Sequence, residues 1–156
     1  MADIIQSFIK ELAFEEALTN HLLGHGWNEV MMNPTEEQLV ENWAHIIYDN
    51  NREIDKLGNH PLTEPEMQQV MDKVNMVGSP YEMNRFINAQ EVCIKRDNEA
   101  DTNNCGKEVY LKIFDPMEIS SGQSRYQIAR QPKFKSADEM GGDRRGDVML
   151  LINGMP

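Results

Sequence analysis

With 156 residues, 40% of them hydrophobic and 26% charged, the chain has the composition of a single soluble globular domain. No apolar run approaches the ~20 residues of a membrane span, and the first residues lack the basic-then-apolar layout of a signal peptide. A formal net charge of −11 argues against a surface that grips nucleic acid all over.

The charge is unevenly spread. Residues 1–124 carry 22 acids and nine bases, whereas residues 125–145 carry six bases and only three acids, a local balance of +3. The six bases are Arg125, Arg130, Lys133, Lys135, Arg144 and Arg145. A basic run of this kind is either a solvated loop or a phosphate-facing surface. Cys93 and Cys105 have neither metal-ligand spacing nor a disulfide framework, so reduced thiols of a cytoplasmic protein are expected.

In chain order, residues 3–23 read as a helix whose stripe is Ile4, Phe8, Leu12, Leu18 and Leu22, with Gly24 and Gly26 as stop signals. Thr35 to Gln38, Thr63 to Glu66 and Ser79 to Glu82 are each capping boxes. They predict three further helices, the first reaching towards Leu57, and together a helical insert over 34–89. The period then changes. "EVCIKRD" and "EVYLKIFD" are β-branched-rich runs joined by turn-rich residues, and Val109, Leu111 and Ile113 alternate as a half-buried strand requires. "RYQIARQ" is a third strand candidate and "DVMLLI" a fourth, which does not alternate and is expected to be covered on both faces. Asn153-Gly154 behind it is a strong hairpin signal. The organisation is helix, helical insert, then a sheet region over 90–156.

Two carboxylates stand out. Asp147 lies at the mouth of the last strand, where it either caps a turn, pairs with Arg145, or reaches a cleft as a metal ligand. Glu15 falls within the apolar stripe of the first helix, while Glu16 points away and Glu11 lies on the flank. A carboxylate facing a core is costly unless paired or metal-bound, so Glu15 calls for an arginine or a cation. His21 and His25 are spaced as a helical metal pair but have no evident third ligand.

The segments "FEEALTNHLLGHGW", "NRFINAQ", "YLKIFDP", "SRYQIARQ" and "GDRRGDVMLLINGMP" occur in an order that resembles the N-terminal region of the restriction subunit of type I restriction-modification enzymes. The resemblance implies a nuclease of the PD-(D/E)xK type: a mixed β-sheet flanked by helices, here with a helical insert and ending within the active-site hairpin. Asp147 matches the first catalytic carboxylate and metal ligand, and Glu15 matches a first-helix metal ligand. The Glu-x-Lys half of that site would follow Pro156 and is not among these residues. Arg145-Gly146-Asp147 departs from the common Arg-Pro-Asp, which loosens the start of the strand but keeps the carboxylate.

By the same resemblance, Mg²⁺ is the expected metal, held by oxygen donors and polarising a DNA phosphate. Lys133, Lys135, Arg144 and Arg145 would face DNA. The intact protein would carry ATP-driven translocase domains outside this chain, act on unmodified foreign DNA, and assemble with methyltransferase and specificity subunits away from membranes. The 156-residue piece alone is expected to be inactive. Two rival readings remain: a non-catalytic acidic interaction module docking on a protein, and a repair or recombination nuclease with the same core.

Overall fold

The computed structural model describes residues 1–88, 91–115, 117, 124–135, 144, 145 and 147–155, with the side chains of residues 2, 3, 144 and 145 outside the description. The described residues form four helices and seven strands: α1 (Ala2–Leu23), β1 (Glu29–Met32), α2 (Glu36–Asn50), α3 (Glu64–Asn75), α4 (Pro80–Ile87), β2 (Val92–Lys95), β3 (Glu108–Leu111), β4 (Tyr126–Arg130), β5 (Lys133–Phe134), β6 (Arg144–Arg145) and β7 (Val148–Ile152). The class is mixed α/β, as expected. Met1–Leu39 together with Arg125–Pro156 make one compact unit, and Val40–Ser124 make a second.

The first unit is built on a mixed sheet in the order β1-β4-β7. The middle strand β4 runs parallel to β1, with Met32 opposite Arg130, and antiparallel to β7, with Arg130 opposite Val148. Being central, β4 buries Gln127, Ile128 and Ala129. Among the described strands β7 has β4 as its one neighbour in the sheet, and the expectation of cover on both faces does not hold: Leu151 is fully buried but Leu150 is 40% exposed. An uninterrupted apolar run does not distinguish an edge strand from a central one.

The Asn-Gly signal holds. Asn153 and Gly154 have φ of 52° and 84°, the positive values that a two-residue hairpin turn needs at both positions. Ile152 and Met155 exchange both backbone hydrogen bonds across it, at 2.9 and 3.1 Å. Asn153 also fixes the turn from its side chain, since its Oδ1 accepts from the Arg125 N–H at 2.9 Å.

α1 forms over the expected residues, but only its second half packs. Glu15 and Thr19 are buried and Leu12, Leu18 and Leu22 half-buried, whereas Ile4 and Phe8 are exposed. The apolar stripe was therefore right in phase and too long, because helical periodicity continues whether or not a neighbour is present. β1 carried no legible signal: it is four residues long and buries little of any side chain, and its pairing with β4 makes it a strand.

In the second unit Ile46, Ile47, Leu57, Met67, Val70, Phe86, Val92, Ile94, Val109, Leu111, Ile113 and Phe114 are buried. β2 and β3 form a hairpin with Cys93 opposite Tyr110. Thr63 and Glu66 make a full capping box at α3. α2 stops at Asn50 rather than near Leu57 because Asn51, fully buried, binds the Ile47 carbonyl at 2.8 Å and the Lys112 carbonyl at 2.9 Å through its side-chain amide. Its Oδ1 accepts from the Lys112 N–H at 2.7 Å, so the helix end is tied to the end of β3.

Candidate active site

The two parallel strands of the first unit break at the same level. Met32 is followed by Asn33 (φ 49°) and Arg130 by Gln131 (φ 48°), both in the left-handed region that non-glycine residues visit rarely. Asn33 donates its N–H to the Arg130 carbonyl at 2.8 Å, and the Gln131 N–H donates to the Asp147 carbonyl at 2.8 Å. At this end of the sheet the last residues of β1 and β4 meet the residue that opens β7.

Glu15 arrives here from α1. Its Oε2 accepts from the Gln131 side-chain amide at 3.3 Å and stands 3.6 Å from Arg130 Nη2. Both contacts fall on the same oxygen, and no described donor bonds Oε1. The Thr19 hydroxyl donates to the Glu15 carbonyl at 2.8 Å, and Thr19 is buried beside it. Glu15 is 5% exposed, so it has the buried, partnered setting that its place in the helical stripe required. Asp147, in contrast, is exposed. Its backbone is held by Gln131.

The two singled-out carboxylates are therefore brought to one end of one sheet, linked through a third residue. Gln131 binds the backbone of Asp147 with its own N–H and the side chain of Glu15 with its amide. No local pattern marks this residue beyond its place at the end of "RYQIARQ". Its one retrospective signal is position: a polar amide directly after a buried run and before Pro132.

The basic residues continue from the same place. The Lys133 N–H donates to the Pro34 carbonyl at 2.9 Å, and Lys133 pairs with Arg145, and Phe134 with Arg144, in the β5–β6 ladder. Lys135 donates to Glu37, an exposed contact that, with the backbone, holds the Glu37 carboxyl below its ordinary range. The side chains of Arg144 and Arg145, and the acids Asp138, Glu139 and Asp143, lie outside the described residues. So does Gly146.

Two carboxylates are hard oxygen donors of the sort a small divalent cation selects, and a cation that keeps several waters needs only one or two of them. The donor set fits such an ion in kind, with Asp147 open and Glu15 Oε1 free of described donors. No group of three or more His, Cys, Asp and Glu placed to hold a metal occurs among the described residues. In the histidine pair, His25 Nδ1 lies 2.7 Å from the His21 carbonyl, and the two ring centroids are 4.2 Å apart with the planes tilted by 30°. Among the described residues no helix is long and apolar enough to cross a membrane.

No family model matches the chain. Among curated proteins it is similar to endonuclease subunits of type I restriction enzymes. It is 32% identical over 146 residues to the "Type I restriction enzyme SsaAORF53P endonuclease subunit" of Staphylococcus saprophyticus subsp. saprophyticus, covering 94% of this chain and 14% of that protein. It is 29% identical over 150 residues to the "Type I restriction enzyme SauMSSORF170P endonuclease subunit" of Staphylococcus aureus (strain MSSA476), covering 96% and 14%. A 28% identical relative is the SauCOLORF180P endonuclease subunit of Staphylococcus aureus (strain COL), over the same shares. The similarity runs along nearly the whole chain, which spans about 14% of the length of these relatives.

Proposed function

We propose that the chain is the N-terminal part of the nuclease domain of a type I restriction endonuclease subunit, a cytoplasmic enzyme that hydrolyses phosphodiester bonds in unmodified foreign DNA. The reading rests on the end-to-end similarity to proteins named as endonuclease subunits, and the meeting of Glu15 and Asp147 at Gln131 supports it. In this reading Asp147 is the catalytic carboxylate, and Asp147 and Glu15 hold Mg²⁺. When bound, that ion supplies Lewis-acid polarisation of a phosphate oxygen. The chain's own residues set the geometry: the β4–β7 ladder fixes the backbone of Asp147, while Arg130 and Gln131 hold Glu15 in place.

DNA binds proteins mainly through its phosphates, and a chain at −11 has little field to attract it. Lys133, Lys135, Arg144 and Arg145 would supply a local phosphate-facing ribbon. Delivery of DNA by ATP-driven translocase domains of the intact protein, working with methyltransferase and specificity subunits, would remove the need for stronger intrinsic affinity. The 156-residue chain alone, which has no Glu-x-Lys among its residues, would not cleave DNA.

The test is Asp147→Ala in the intact protein assembled with its partner subunits. Loss of DNA cleavage with ATP hydrolysis and translocation retained is the expected result. Cleavage at the unaltered rate would overturn the reading. It would favour the acidic interaction module, which the exposed Ile4, Ile5, Phe8 and Ile9 on α1 suit.

A further inference from the structure

Gln131 is held more tightly than a strand end requires. Its φ of 48° is uncommon for a residue with a long side chain, and such backbone persists where surrounding bonds over-determine it. Those bonds run to the two residues that the proposed site needs, Asp147 at 2.8 Å through the backbone and Glu15 at 3.3 Å through the side chain. The left-handed turn is what lets one residue do both. It leaves the N–H directed along the ladder towards Asp147 while turning the side chain towards α1.

We propose that Gln131 is a positioning residue for the metal site: its amide ties up Glu15 Oε2 and leaves Oε1 to accept a divalent cation beside Asp147. This deepens the nuclease reading and rests on it. Arg130 cannot do the same alone, because its Nη2 lies 3.6 Å from Oε2, beyond good hydrogen-bonding distance. Ligands aligned by a neighbouring hydrogen bond bind metal better than unaligned ones, and loss of such a neighbour typically costs 10–100-fold in affinity or activity.

The informative variant is Gln131→Gly in the intact protein. Glycine accepts the positive φ and keeps the N–H that bonds Asp147, so only the amide is lost. Mn²⁺ binding is read by electron paramagnetic resonance without ATP, and the site is defined as the binding that Asp147→Ala removes. The expected result is about 10-fold weaker Mn²⁺ binding at that site, with slower DNA cleavage, unaltered ATP hydrolysis and an unchanged thermal midpoint. Gln131→Asn, which also tolerates a left-handed backbone but has a shorter side chain, should show the same loss and serves if the glycine variant does not fold.

Unaltered Mn²⁺ affinity in the folded variants, with binding still removed by Asp147→Ala, would overturn the role of Gln131 and leave the nuclease reading standing. If Asp147→Ala changes neither Mn²⁺ binding nor cleavage, the nuclease reading falls and this inference falls with it.

Discussion

Arg130 and Glu15 form an ion pair with a gap: Nη2 stands 3.6 Å from Oε2, and the buried Nε of Arg130 has no hydrogen-bond partner among the described residues. A buried carboxylate in such a setting is neutralised but not saturated. A merely structural pair would be expected to close to bonding distance, since isolated charges are costly to bury. On the nuclease reading proposed above, a divalent cation would be the second positive partner of this carboxylate.

Arg130→Met tests this balance. Breaking a fully buried pair costs about 3–5 kcal/mol, and this looser one should cost about 2 kcal/mol. Millimolar Mg²⁺ should restore part of the loss, because an ion bound only by the folded state stabilises it. Thermal denaturation with and without Mg²⁺ measures both effects. No recovery with Mg²⁺ would leave Arg130 as a plain structural counter-ion.

A tighter pairing lies in the second unit. Arg96 donates to Glu66 at 2.6 Å and to Asp101 at 3.2 and 3.3 Å, and also binds the His60 carbonyl at 3.0 Å. Glu66 receives the Asp97 N–H at 2.8 Å on its other oxygen and the Thr63 N–H at 2.9 Å. Arg96→Met would leave two buried carboxylates without a counter-charge. The expected loss of stability is about 3–5 kcal/mol by urea denaturation, and a loss below ~1 kcal/mol would contradict the arrangement.

Acid should open the same place. Burial alone would raise the Asp101 carboxyl, but hydrogen bonds from Asn104 and Arg96 outweigh it and hold the group below its ordinary value of 3.8. A depressed folded-state value means the stabilisation is complete above the unfolded-state value and is lost as pH falls from there through the folded one. Asp101→Asn should therefore flatten the acid limb of stability below about pH 4 and leave the neutral-pH slope unchanged. Equilibrium unfolding across pH measures it, and an unaltered acid limb would refute the assignment.

The basic ribbon offers a separate test in the intact protein. Lys133→Glu with Arg144→Glu should reduce DNA cleavage more than ATP hydrolysis. Lys135→Glu should have the smaller effect, because Glu37 already occupies that ammonium. Equal loss of both activities would count against a phosphate-facing role.

The fold was legible where local chemistry decides it. Thr35, Thr63 and Ser79 opened helices, and Asn153-Gly154 made its turn, because caps and turns are satisfied by residues close in sequence. Glu15 was legible because a carboxylate inside an apolar stripe conflicts with its own periodicity. What the sequence hid was set by distant neighbours. β1 exists because β4 lies beside it, and Ile4 and Phe8 are exposed despite ideal spacing. Arg96 looked like an ordinary arginine after a strand until Glu66 and Asp101 enclosed it. Gln131 was invisible because its importance lies in a backbone angle and two partners more than 15 residues away, Asp147 and Glu15.

The turn at Asn153-Gly154 has an evolutionary consequence. Surface turns usually tolerate an added residue, since lengthening a loop costs little entropy. This one sets which residue faces Ile152, and pairing along an antiparallel edge is fixed from that first rung outward. One inserted residue would slip any strand lying against β7 by a single position and turn its side chains to the opposite face. Whatever meets Asp147 across that edge would be exchanged for its neighbour. Length should therefore be constrained here alongside identity, since both positions hold positive φ and the Asn153 side chain binds the Arg125 N–H, and relatives should show no gap at this turn.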